Sequence, residues 1–173
     1  MFARLNAEPD IELTVFHGRG IPGTKLVNSD TFEGFSHKQM FTLNGMTRSS
    51  GRRVPWTVCP FVGFSLMRYN PDVVVVEGGS NVFTNIFVYA YAMLFRKKTV
   101  WWTLGVLPGR KFRGLGRLYR AVVQTLERRS TILLGYSSVA LDYFRSSGYP
   151  SEKCMRAVNC VDTDRVFSDI AAG

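Results

Sequence analysis

Four consecutive valines, Val73 to Val76, stand between Asp72 and Glu77-Gly78-Gly79. The run is β-branched, too short for a helix, and lacks the polar–apolar alternation of a strand with one wet face. It therefore predicts a strand buried on both faces, the pattern of a parallel sheet. The two glycines open a turn, Asn81 to Phe95 is apolar enough to form a buried helix, and Thr99-Val-Trp-Trp-Thr103 follows Lys97-Lys98 as a second strand. Strand, glycine turn, helix and parallel strand make a βαβ unit.

The pattern repeats downstream. Phe112, Leu115, Leu118, Val122 and Leu126 are spaced three or four apart as the inner stripe of a helix, with Arg113, Arg117 and Arg120 together on another face. Ile132 to Leu134 gives the next strand. Ser137 or Ser138 is suited to cap a third helix that Gly148-Tyr149-Pro150 stops, and Met155 to Val158 closes the series as a short strand. Upstream, Met1 to Ala7 has helical character, Ile11 to Phe16 alternates as a strand, and Phe61 to Tyr69 reads as a short helix ended by Asn70-Pro71. His17 to Arg53 is rich in glycine and polar residues and gives only short pieces near Phe32–Phe35 and Met40–Leu43. The alternation of strands and helices predicts an α/β fold with a Rossmann-like, doubly wound, mostly parallel sheet.

The formal net charge is +9, which favours anionic partners without naming one. A nucleic-acid partner would rest on that charge alone and is not expected. Cys59, Cys154 and Cys160 are odd in number and form no CxxC pair, so the chain fits a reducing, cytoplasmic compartment, and no metal or cofactor is expected. Val82 to Phe95 is shorter than the roughly 20 residues a membrane span needs.

In open parallel sheets ligands bind beyond the carboxyl ends of the strands. The residues to inspect are therefore Glu77, Gly78, Gly79, Ser80 and Asn81, then Thr103, Leu104 and Gly105, then Tyr136, Ser137 and Ser138. Gly78 and Gly79 let the backbone approach a ligand, the amides that follow suit an anion or a sugar hydroxyl, and Glu77 suits an acceptor hydroxyl. The same residues also suit a tight turn with Ser80 as helix cap and Glu77 as a solvated carboxylate. Arg110, Lys111, Arg113, Arg117 and Arg120 suit contact with an anionic surface such as lipid phosphates, and equally a solvated helix face. Trp101 and Trp102 lie inside a strand and read as core. His17 and His37 have no nucleophile or acid at recognisable spacing, so a hydrolase triad is not expected.

Four segments, RYNPDVVVVEGGSN, KKTVWWTLGVLPGR, YSSVALDYFRSSGYPSEK and NCVDTDRVF, together resemble the amino-terminal half of a GT-B glycosyltransferase of the family 4 kind. Asn159, Val161-Asp162 and Phe167 resemble the Asn-Gly-Val-Asp…Phe segment that closes the family's first domain, with Cys160 where glycine is usual. The resemblance is loose over His17 to Arg53.

What the resemblance implies is one half of a GT-B architecture. Residues 1–160 would be a Rossmann-like acceptor-side domain without the family's first strand, and residues 161–173 the start of an interdomain linker. Its partners would be a glycan or lipid-linked acceptor and a donor-domain half, in cis or in trans, that holds the nucleotide sugar. Such a chain is expected to bind an envelope polysaccharide precursor, to be inactive alone, and to sit in the cytoplasm with peripheral contact at the inner membrane face. Family members often carry a His where Leu104-Gly105 stands here, so the resemblance names no catalytic residue. The alternative is a non-catalytic binding or anchoring subunit of a two-chain glycosyltransferase.

Overall fold

The computed structural model describes residues 2–21, 32–49, 52–79, 81–106 and 114–157. Ser80, Leu107, Arg110, Lys111, Phe112 and Arg113 lie outside them, as does everything from position 158 onward, including Cys160 and the expected linker. The fold is mixed α/β and divides into two compact units, Met1–Val74 with Ser80–Lys98 and Val75–Gly79 with Thr99–Gly173.

The first unit opens with helix α1 (Phe2–Asn6). Strands β1 (Thr14–His17) and β2 (Ser36–Gln39) pair in parallel, with Val15 opposite His37, and β3 (Leu43–Ser49) and β4 (Arg52–Val58) form an antiparallel pair. The glycine-rich third of the chain thus holds two strands where the sequence suggested only short pieces elsewhere. Both escape a hydrophobicity reading for the same reason. Ser36-His-Lys-Gln39 is polar and mostly exposed, and Leu43 to Ser49 mixes Leu and Met with Asn, Gly and Arg. Cross-strand pairing, not burial, holds these segments.

Helix α2 (Val62–Tyr69) ends as its sequence predicts. Asn70 takes a left-handed conformation, φ 49°, its N–H returns to the Leu66 carbonyl at 2.7 Å, and Pro71 prevents continuation. Helix α3 (Val82–Leu94) packs on α2, and the Thr84 hydroxyl accepts the Cys59 N–H at 2.9 Å.

A four-stranded, all-parallel sheet runs in chain order through β5 (Val73–Glu77), β6 (Lys98–Thr103), β7 (Ile132–Gly135) and β8 (Cys154–Arg156). In the second unit it is accompanied by helices α4 (Leu115–Arg129) and α5 (Ser138–Ser146). Trp101, Leu133, Ala140 and Phe144 are fully buried and form the centre of this unit. Helix α5 packs on β7 and β8, and a β-carbon at Gly135 would stand 2.8 Å from the Ala140 methyl, so the close approach requires glycine. Ser137 is the cap of α5, its hydroxyl accepting the Ala140 N–H at 3.4 Å.

Two expectations need correction. The valine run is not buried on both faces: Val76 is 6% exposed, but Val73 and Val75 are 46% and 56% exposed. Alternate residues of a strand face opposite sides, and Val73 and Val75 share the side that is exposed. Nor is the inner stripe of α4 placed wholly as its spacing suggested. Leu126 is buried and Val122 half-buried as expected, but Leu118 is 64% exposed, and Val123 and Glu127 are buried. The helix is rotated relative to the expected face because Arg120 and Glu127 turn inward together.

Candidate functional site

The carboxyl ends of β5, β6 and β7 lie side by side in the second unit, and their backbones are tied to each other. The Gly78 N–H donates to the Trp102 carbonyl at 2.7 Å. The Thr103 hydroxyl donates to the Gly78 carbonyl at 3.3 Å and accepts the Gly105 N–H at 3.1 Å. The Tyr136 N–H donates to the Thr103 carbonyl at 3.1 Å. Thr103 is 5% exposed, so it acts as the internal tie and not as a ligand contact.

Glu77, Gly78, Gly79, Leu104, Gly105, Ser137 and Ser138 therefore share one end of the sheet, as the sequence predicted. Glu77, Gly79 and Ser138 are exposed, and Leu104 is 71% exposed. Gly79 and Gly105 have φ values of 99° and 77°, where glycine is favoured. Asn81 is the residue before α3, and its side chain makes no capping hydrogen bond.

Three tyrosines complete this end; the sequence pointed to Tyr136, after β7, and missed Tyr119 and Tyr143. Tyr136 follows β7 and stacks on Trp102 with ring centres 4.6 Å apart. Burial pushes its phenol above the usual tyrosine range, and the nearby Glu77 carboxylate adds to the effect. Tyr119 of α4 donates its hydroxyl to the Gly79 carbonyl and so fixes the glycine turn. Tyr143 of α5 lies under Gly105, where a β-carbon would come within 3.2 Å of its ring. The available signal was position alone, since each tyrosine follows a strand or lies within the adjoining helices.

Behind Gly105 sits a buried charge. Glu127 is 2% exposed and accepts hydrogen bonds from Tyr143 at 2.6 Å and Tyr149 at 2.7 Å, with Arg120 at 3.7 Å. Burial raises the Glu127 pKa, and the two phenols and the guanidinium oppose that rise. Arg120 also donates to the Tyr143 hydroxyl and lies over its ring. Arg120 was expected beside Arg117 on a surface facing anions. It is instead a structural cation whose side chain is 15% exposed, because Glu127 seven residues later on α4 draws it in. Arg117 remains exposed.

The strand ends present an exposed carboxylate and glycine turn, the half-buried ring of Tyr136 and the serine-capped start of α5. A carboxylate beside an aromatic ring suits a hydroxyl-bearing ring compound: the carboxylate accepts from hydroxyls and the aromatic packs on an apolar face. Among the described residues no group of three His, Cys, Asp or Glu could hold a metal ion. In the first unit His17 Nε2 and His37 Nδ1 lie 3.2 Å apart, and both rings stack on Phe32. No protein-family model matches the chain, and no curated protein matches it significantly.

Proposed function

We propose that the chain is the acceptor-binding half of a GT-B glycosyltransferase, with the doubly wound Rossmann-like sheet of that architecture. A donor domain, in cis or in trans, holds the nucleotide sugar. The observation that carries the reading is that Glu77, at the end of β5, and Tyr136, just after β7, stand at the same end of the parallel sheet on either side of β6, near enough for the carboxylate to act on the phenol. The four segments that resemble family 4 enzymes supply the reaction class.

In this reading Glu77 accepts a hydrogen bond from an acceptor hydroxyl and orients its oxygen. The ring of Tyr136, held by Trp102, supports the apolar face of the sugar. Arg117 faces the phosphate of a lipid-linked acceptor. When the donor domain closes, the oriented oxygen bonds to the anomeric carbon as the bond to the nucleoside diphosphate breaks. The diphosphate takes the bonding electrons, and the hydroxyl proton passes to the departing diphosphate. The acceptor is an envelope glycan or its lipid-linked precursor.

Binding separates this proposal from a chain that merely resembles a transferase. Calorimetric titration with candidate acceptor oligosaccharides is expected to show binding, weakened about tenfold by Glu77→Gln through loss of a charge-assisted hydrogen bond. Nucleotide sugar and acceptor together give no turnover with this chain alone. Unchanged acceptor affinity in the Glu77→Gln chain, or robust transfer without a donor domain, overturns the proposal.

A further inference from the structure

Helix α3 is apolar on both its buried and its exposed faces. A solvated helix turns its polar residues outward, yet the polar residues of α3 face in: Asn85 is 3% exposed and Thr84 is bonded to the Cys59 amide. Its outer face is apolar throughout. Phe83, Ile86, Phe87, Met93 and Leu94 are 59%, 40%, 42%, 55% and 76% exposed, and Ala90 continues the same helical stripe. Helix α2, packed on α3, adds Phe64 at 68%.

The stripe is followed by cations. Arg96, Lys97 and Lys98 come directly after Phe95, Arg68 lies in the last turn of α2, and neither helix contains an acidic residue; the acid beside them is Asp72, whose carbonyl accepts the Lys98 N–H at 3.2 Å. We propose that this face docks on the surface of an anionic lipid bilayer, with the stripe entering the headgroup boundary and the cations meeting lipid phosphates. Interfacial helices bind through these two contributions together.

Length and charge select this occupant. Thirteen residues extend about 20 Å, short of the roughly 30 Å hydrocarbon core, and no described helix is long and apolar enough to cross a membrane. The helix therefore lies in the plane of the surface. A second copy of the chain would cover the stripe equally well, but it would bring the same cations without an acid from either helix to meet them. Anionic lipid supplies that complement. This inference stands on residues of the first unit and does not depend on the acceptor reading.

Co-sedimentation of the full chain with vesicles tests it. The chain is expected to pellet with phosphatidylglycerol-containing vesicles, less with pure phosphatidylcholine, and less as salt is raised. The exposed-site variant Phe83→Ser/Leu94→Ser should lose about tenfold or more in partitioning while keeping its circular dichroism and melting temperature. Arg96→Gln/Lys98→Gln, which leaves the stripe intact, should lose about tenfold on the anionic vesicles only. No pelleting, or equal pelleting of folded variants, overturns the inference. So does concentration-dependent self-association abolished by the stripe substitutions, which would make a second copy the occupant.

Discussion

Replacing Glu127 with leucine is expected to lower the stability of the chain by about 3–5 kcal/mol, because it leaves an inward-turned guanidinium without its carboxylate. Three groups converge on that side chain, the hydroxyls of Tyr143 and Tyr149 and the Arg120 guanidinium. Leucine matches the volume but accepts nothing. Glu127→Gln keeps an oxygen for the phenols and should cost less, and Arg120→Met added to Glu127→Leu should recover part of the loss. Urea unfolding of the four chains checks the series. A Glu127→Leu chain within about 1 kcal/mol of the parent would contradict the cluster's place in the core.

The same cluster sets an alkaline limit. Burial, followed by the Glu127 hydrogen bond and charge, pushes the Tyr143 phenol from its ordinary 10.0 up to about 12. The folded state thus holds this proton more tightly than the unfolded chain. The contribution to stability is full below about pH 10 and is lost as pH rises toward 12. Tyr143→Phe should flatten this limb.

The second large effect lies in the glycine turn. A β-carbon at Gly78 would stand 2.3 Å from Trp101 Nε1 and 2.4 Å from Cε2. Trp101 is 0% exposed and has nowhere to move, so Gly78→Ala should cost about 3 kcal/mol. Gly79→Ala is the control. Its φ of 99° strains an alanine, but nothing lies within 4 Å of the new methyl. That substitution should cost about 1–2 kcal/mol. The reverse order would mean that β5 does not approach Trp101 as closely as the structure gives.

These effects show which parts of the fold could be read from sequence. Helices α2, α3 and α5 and strands β5 to β7 were legible because apolar runs end at Asn70-Pro71, Gly78-Gly79 and Gly148, residues that stop elements through backbone chemistry. Strands β2 and β3 were not, since Ser36 to Gln39 owes its form to a neighbour and not to its own hydrophobicity. On α4, Arg120 and Glu127 reversed the usual rule that charge marks the wet face. Their mutual pairing, with two phenols from more distant segments, turned them inward and left Leu118 outside.

The candidate site was legible to the same extent. Parallel strands bring their carboxyl ends to one side whatever their side chains, so Glu77, Gly105 and Ser137 could be grouped from the strand pattern alone. Tyr136 could be grouped with them in the same way, but its stack on Trp102 and the Tyr119 bond to Gly79 could not be foreseen, because they depend on register and on the placement of α4.

These strand ends are the proposed floor for a sugar acceptor. Backbone amide NMR of the labelled chain, titrated with acceptor oligosaccharides, tests it most directly. Saturable shifts should centre on Gly78, Gly79, Leu104, Gly105, Tyr136 and Ser137. Shifts confined to the first unit or to β8, or none with any acceptor, would contradict it.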